Sequence, residues 1–549
     1  MDTEDEQEHK GSEASMHATL GRGKGKEREE EEVNIGNKNG NGETGMLRKK
    51  EWEWGVFNSR DITTPVEAVD AKANTPLHLV AENGTPEESV DTNINTPLHL
   101  AALNGHMDTV KLLLEKAASI EARDRENNTP LHLAAQKGHS SVVELLLGKG
   151  ASTESINEDN NTPMHLAVMM GQYGTVELLI RNSALLEVID KYYLTPMHWA
   201  ALGDHAAVME LLLEKGASIE PRNKRGITPI HFAVRRGHTD IVRLLLEKGA
   251  FIEAVDENNF PSLHFAAKEG YSSIVGLLLE KGASIDPRCE ESSTPMHFAI
   301  IEGHTDIVRQ LLEKGACIEA IDENNNTSLH FAAMEGHTSI VRLLLEKGAF
   351  IEAVDENNFT SLHFAAKEGY SSIVGLLLEK GASIDPRCEE SSTPMHFAVI
   401  EGHTDIVRQL LEKGAFIEAV DENNNTSLHF AAKEGHSSIV ELLLQKGASI
   451  DPRCEKSSTP MHLAAIYGHT DIVRLLLEKG AFIEAMGGNN FTSLHFAAMK
   501  GHFSIVELLI EKGASINAVT IHNYTPIHLA AQRGHTDTVE LLINKGAKI

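Results

Sequence analysis

Histidine is the residue whose number and spacing first suggest chemistry. The chain carries 29 of them. Fifteen stand fourth in a tetrad that usually reads Thr-Pro-x-His, at Thr75 and then at 96, 129, 162, 195, 228, 261, 294, 327, 360, 393, 426, 459, 492 and 525. Eleven more lie seven residues after a tetrad histidine. A zinc site needs three or four ligands at about 2 Å. One tetrad histidine per 33 residues, each on its own helix pair, does not converge in that way, so the histidines read as structural and no metal or other cofactor is expected. Cys289, Cys388 and Cys454 occupy equivalent loop positions and Cys317 a different one. Stacked helices sit about 8–10 Å apart, which puts these thiols beyond the roughly 7 Å Cα separation that a disulfide spans. Free thiols point to a reducing, intracellular compartment. The chain has no Gly-rich phosphate loop, no Gly-x-Ser-x-Gly elbow and no Cys-x-x-Cys pair. Paired acids such as Glu290-Glu291 read as solvated. No enzyme is expected.

The elements that carry these residues follow from the tetrad spacing, which is 33 residues from 96 onward. A fixed period of this size means stacked units rather than one globular core. In the copy over residues 129–151, Thr129 is a good helix N-cap, its hydroxyl able to accept a first-turn N–H. Pro130 suits the first helical position. Leu131, Leu133, Ala134 and Ala135 form a small apolar face around His132. Gly138 ends the helix in the left-handed conformation. A second helix follows, with Val142, Val143, Leu145, Leu146 and Leu147 as its stripe. Thr162 and His165, and Thr228, His231 and Gly237, repeat the scheme. Helices of eight to ten residues do not persist alone in water, so neighbouring units must bury one another's stripes. Between units runs a polar finger. Two residues before the tetrad it carries Asn in eight copies and Gly at 226; Asn tolerates positive φ best among non-glycine residues. Seven of these asparagines form Asn-x-Thr sequons, which turn chemistry already explains.

The Thr-Pro-Leu-His, Leu-Ala-Ala, Gly-His, Val-x-Leu-Leu-Leu and Gly-Ala elements resemble the ankyrin repeat, over about residues 63–549. The resemblance implies an all-α solenoid of helix-turn-helix units with protruding β-turn fingers. It also implies that each tetrad histidine bonds its tetrad threonine and a neighbouring loop backbone. Binding would use the concave face, lined by finger tips and the outward side of each first helix. Ankyrin arrays can be hydroxylated on an Asn after Gly-Ala-x-Ile, and only Asn517 stands there.

Domain organisation is read as a disordered tail over 1–62, a truncated unit over 63–90, and fourteen repeats over 91–549. Trp52, Trp54 and Phe57 could cap the first repeat, and Arg48-Lys49-Lys50 is a weak nuclear-signal candidate. The net charge is −30. Residues 1–60 hold 14 acids and 10 bases, a net of −4, which leaves −26 on the rest. That charge disfavours direct contact with nucleic acid and favours basic partners. No apolar run approaches the roughly 20 residues of a membrane span. Residues 251–316 and 350–415 differ at two of 66 positions, Pro261 against Thr360 and Ile300 against Val399, as a block of three units copied whole would. Pro261 lacks the threonine cap, so that helix start is expected to be the loosest.

These features lead to a protein–protein interaction scaffold or adaptor: a monomeric array, intracellular, cytoplasmic rather than nuclear. The alternatives are the substrate-recognition subunit of a ubiquitin ligase, which needs a recruiting box beyond the array, and an acidic inhibitor that sequesters a basic nucleic-acid-binding protein. The two residues before the first-helix glycine are expected on the concave face; they include Met169, Met170, Ile301, Ile400, Ile466 and Tyr467. Tyr173 and the finger-tip Tyr192 and Tyr193 complete the candidate contact set, whereas Trp199 is expected in the core. Units at about 157–222 break the glycine pattern at Ser183 and Asp204, so their backbone is expected to differ.

Overall fold

The computed structural model describes residues 95–548. The tail, the truncated unit, the Trp52, Trp54 and Phe57 cap and the basic triplet lie outside the described residues. Within them the chain forms twenty-eight α-helices in fourteen pairs, from Pro97–Leu103 with Met107–Glu115 to Pro526–Gln532 with Thr536–Asn544. Three isolated antiparallel bridges, Val255 with Pro261, Ile321 with Thr327 and Val420 with Thr426, are its only ladder-like pairings among the described residues.

Each first helix starts at an extended cap residue; Thr129 has φ −91° and ψ 164°. Each buries its proline or serine and its small residues, and all but the last bury the histidine: Pro130, Leu131, His132, Ala134 and Ala135 are all inside, whereas His528 is exposed. Alanine at the contact lets successive first helices approach closely. The second helix is the outer one in sequence terms, nine residues long and buried on one stripe, Ile241, Val242 and Leu245 in the helix Thr239–Glu247. Leu246 lies between core and surface, so Leu245 is the deeper of that pair.

Gly138 has φ 76°, and a Cβ built there would lie 2.1 Å from Oε1 of Gln172 in the next unit. The position therefore needs glycine both for its dihedral and for room. Asp204, at the same position, keeps a positive φ of 60°, and Ala117 and Ser183, which replace the glycine after the second helix, have 65° and 66° where Gly150 has 92°. The expected change of backbone shape at Ser183 and Asp204 does not occur. Packing holds the turn, and the non-glycine residue carries the strain. All seven sequon asparagines likewise have positive φ, from 59° to 63°.

Four kinds of bond recur between units, although Gln172, Tyr271 and Tyr370 replace the histidine of the fourth in three of them. One finger donates a backbone N–H to the previous finger, as Glu158 does to the carbonyl of Glu126 at 2.8 Å. A finger carboxylate accepts an N–H 31 residues on, as Glu187 does from Ser218 at 2.7 Å. The tetrad histidine reaches forward, from Nε2 of His132 to the carbonyl of Asn161 at 3.0 Å. The second histidine reaches back, from Nε2 of His139 to the carbonyl of Leu103 at 3.0 Å. Asn517 serves the carboxylate's purpose in the last interval, its Oδ1 accepting from the N–H of Lys548 at 2.9 Å.

Candidate protein-binding face

The histidines are settled by their hydrogen bonds. A carbonyl oxygen only accepts, so Nε2 of His132 carries the ring proton. Its Nδ1 then accepts, from the N–H of Thr129 at 3.0 Å and from the Thr129 hydroxyl at 2.8 Å. This is a capping box with histidine in the place that Glu or Gln usually takes. The threonine keeps its expected role as a cap acceptor and adds a second one. Its hydroxyl mostly gives a proton to the ring, and accepts the histidine N–H only at longer range, as Thr96 and Thr162 do at 3.4 Å. Where both imidazole nitrogens are bonded in this way, as in His132, no lone pair is left to ligate a metal. Burial pushes the pKa down to about 4 for His132, His165, His198 and His231 among others, so the rings are neutral at pH 7.

Two departures mark the tetrads. Nδ1 of His264 is buried with no partner, because Pro261 offers neither N–H nor hydroxyl. The helix still starts in register, at Ser262. Where serine replaces the tetrad proline, the hydroxyls of Ser262, Ser328, Ser361, Ser427 and Ser493 are buried and unpartnered.

All four cysteines are free. Cys289 and Cys388 are buried, and burial raises both thiol pKa values above the ordinary range. Cys454 is partly covered and Cys317 exposed.

The candidate contact residues separate by depth. Met170, Tyr173, Tyr192, Tyr193 and Tyr467 are exposed. Met169, Ile301 and Ile400 are half-buried. Their carbonyls accept from the next unit's histidine: Met169 from His205 at 2.9 Å, Ile301 from His337 at 3.3 Å and Ile400 from His436 at 3.0 Å. Ile466 is buried. In the pair before the glycine, the first residue therefore leans into the stack and the second faces out. Met170 ends a first helix and Tyr173 opens the second helix Tyr173–Arg181. Tyr467 ends its own helix, with Nζ of Lys433 5.7 Å from its ring centre.

The tyrosine finger is braced from beneath. Asp190 is buried at its base. Its Oδ1 accepts from the N–H of Tyr192 at 2.8 Å and of Leu194 at 2.9 Å, and its Oδ2 from Nε1 of Trp199 at 2.9 Å. Trp199 is in the core, as expected. Burial raises the Asp190 pKa, against those three hydrogen bonds. Tyr193 takes the place of the turn asparagine with φ 62°, a conformation that bulky residues seldom adopt. Nζ of Lys224 sits 3.8 Å from its ring centre and Nζ of Lys191 4.9 Å from that of Tyr192. Lys191 also pairs with Asp159. The rings are thus fixed in place and still open to solvent.

Sequence reading missed a second set of exposed rings. Phe251, Phe350, Phe416 and Phe482 are 56%, 61%, 59% and 62% exposed. All four stand at x in Gly-Ala-x-Ile, where the alternate units have serine. The alternation of finger types was the signal that could have found them.

The helix pairs, glycine turns and histidine staples define a solenoid of ankyrin type. The family model described as ankyrin repeats (3 copies) matches in overlapping segments, the first over 62–124 and the last over 484–549. The chain belongs to the ankyrin-repeat family. No curated protein matches it. No helix among the described residues is long and apolar enough to cross a membrane. Ankyrin repeats are in general protein–protein interaction modules.

Proposed function

We propose that this protein is a non-catalytic scaffold that holds a partner protein on the concave face of its array, with units over about 157–222 contributing most per unit. The proposed organisation is a tail over 1–62, a truncated unit over 63–90 and fourteen repeats over 91–549. The array acts as an intracellular, cytoplasmic monomer. The observation that carries this reading is the braced finger: Tyr192 and Tyr193 are rigid, exposed aromatics on a buried Asp190–Trp199 pair. Rigid aromatics make interface anchors at low entropic cost. The neighbouring Met170 and Tyr173 add exposed apolar surface that a spacer rod would not need. The net charge of −30 favours a basic partner.

Co-purification from lysate at low and high salt identifies the partner. Tyr192→Ala combined with Tyr193→Ala is then expected to weaken binding by about 2 kcal/mol or more. Charge reversal at Glu269 and Glu368 is expected to change mainly on-rate and salt dependence. A silent tyrosine pair with dominant central acids would move the site into the copied repeats and overturn this placement.

A further inference from the structure

Single exposed apolar residues are ordinary on any protein surface. Four phenylalanines at one position of a periodic stack are different, because the stack lines them up along one side. Two units separate Phe350 from Phe416 and Phe416 from Phe482. With stacked helices about 8–10 Å apart, those rings recur every 16–20 Å or so. Leu185, 59% exposed, and the exposed Cys317 stand at the same position.

The backbone beneath each ring is already used. The N–H groups of Phe350, Phe416 and Phe482 donate to Glu319, Asp385 and Asp451 at 2.8, 2.9 and 2.9 Å, and that of Phe251 donates to Glu220. Their carbonyls accept from Ala353, Ala419, Ala485 and Ala254 at 3.2, 3.0, 2.9 and 3.0 Å. An incoming extended strand would find no backbone to pair with, as strand addition requires. A visitor meets side chains alone, which suits a helix whose own backbone is satisfied.

The charge around each ring is also repeated. Glu412, Lys413 and Glu418 flank Phe416 in the chain, the carboxylate of Asp385 holds its N–H, and Arg387 bonds the carbonyl of Val420 in the same finger: three acids to two bases. Phe251 and Phe482 have the same set, with Arg222 and Arg453 in the place of Arg387, and Phe350 has the three acids with one lysine and no such arginine. At Asp385 and Asp451 the second carboxylate oxygen is buried and unpartnered, so no hydrogen bond inside the protein offsets its charge. This local excess of negative charge opposes a second copy of the chain and favours a cationic visitor.

We propose that Phe251, Phe350, Phe416 and Phe482 form a ladder that docks a basic amphipathic helix of a partner protein, on a surface additional to the tyrosine finger. At 1.5 Å per residue, about 11–13 residues of helix span one two-unit interval. The apolar stripe of the helix covers the rings and its lysines or arginines lie over the flanking carboxylates.

The test has a built-in safe substitution, since Ser218, Ser284, Ser383, Ser449 and Ser515 occupy the same position in other units. Ser383 donates its N–H to Glu352 at 2.7 Å just as the phenylalanines donate theirs. The full-length chain and its Phe251→Ser, Phe350→Ser, Phe416→Ser, Phe482→Ser quadruple variant are titrated with a fluorescent synthetic Leu/Lys amphipathic helix of about 28 residues, hence about 42 Å long. Circular dichroism and melting verify that the variant folds. The expected result is at least a tenfold weaker Kd for the variant. A Lys/Ala helix of equal charge should bind the unaltered chain as weakly as the Leu/Lys helix binds the variant. A variant that binds the Leu/Lys helix within twofold of the unaltered chain would leave only diffuse electrostatics and overturn the ladder. Equal binding of a Leu/Glu helix would overturn the basic partner.

Discussion

Nε1 of Trp199 donates to Oδ2 of Asp190 at 2.9 Å, nine residues back along the chain. One buried carboxylate thereby ties the first helix of a unit to the turn that presents Tyr192 and Tyr193. Elsewhere the residue at this place either makes the two turn bonds alone, as Asp355 does to the N–H groups of Asn357 and Phe359 at 2.9 and 2.7 Å, or adds a bond within the finger, as Oδ2 of Asp322 accepts from Nδ2 of Asn326 at 3.1 Å.

Trp199→Phe keeps the ring and removes the donor. It leaves one oxygen of a buried carboxylate unpaired, which costs about 1–3 kcal/mol. Urea unfolding of the variant should show that loss, and partner binding should weaken as the finger loosens. Unchanged stability would mean that the carboxylate is satisfied without the indole.

Acid should unfold the array earlier than carboxylate titration alone would. The tetrad histidines fall from the ordinary 6.5 to about 4 on folding, for instance His297, His330 and His363. A base with a depressed folded pKa stabilises fully above 6.5, and loses that contribution as pH falls towards 4. At about 1.4 kcal/mol per pH unit, each contributes about 3 kcal/mol when fully developed. Asp355 opposes the trend. Burial lifts it from 3.8 to about 6, so its contribution is present at low pH and lost as pH rises through 6. Burial raises Asp190 and Asp421 as well, but three carboxylates do not balance a histidine in nearly every unit. Melting temperature measured from pH 7 to pH 4 should fall continuously; a plateau down to pH 5 would refute neutral, buried histidines.

The two unsatisfied kinds of tetrad can be repaired. Pro261→Thr gives His264 the cap that its copy His363 receives from Thr360 at 3.1 Å. A restored cap is worth roughly 1 kcal/mol. Ser361→Pro removes a buried, unpartnered hydroxyl and fixes φ at the first helical position, for a gain of about 0.5–1 kcal/mol. Denaturant midpoints should rise in both, and a fall in either would show that the serine or proline has an unseen role.

Leu245→Ala removes a side chain with no exposure, at a cost of about 2–5 kcal/mol. Leu246→Ala should cost less, since that side chain is only partly covered. In a stack that couples only neighbours, the weakened unit should split the melt into two steps. A single transition with an unchanged midpoint would contradict the burial of Leu245.

What could be read in the sequence was whatever lies within one unit. The Thr-to-Gly span set the first helix, Gly138 its end, and Asn127 the positive φ of the finger. Trp199 was readable as core because it stands where Leu133 stands. The remainder concerns bonds between units. That a carboxylate at 352 holds the N–H at 383, or that His132 protonates Nε2 to reach Asn161, depends on how far one layer is displaced from the next. Ile466 and Tyr467 look alike as exposed candidates in sequence, yet the stack covers one and leaves the other open. The phenylalanines escaped for the opposite reason: a residue mostly in solvent leaves its trace in the alternation of finger types, not in a pattern read for packing.

The joints between units span a small set of separations, such as the 31 residues from Glu352 to Ser383, the 36 from His139 back to Leu103, and the 29 or 23 forward from a tetrad histidine. Any insertion of whole units therefore preserves every joint, and the chain can lengthen without inventing new packing. The two finger types, however, alternate with a period of two, and the copied block is three units long. An odd copy in an even pattern leaves a phase fault. Cys317 and Phe350, in adjacent units, both precede Ile-Glu-Ala fingers, with no Ser-Ile-Asp-Pro finger between them. Folding does not register this fault, since each layer senses only its neighbours. A ligand that ran the length of the array would, because the rhythm of side chains on one side of the fault is displaced by a single step from the rhythm on the other.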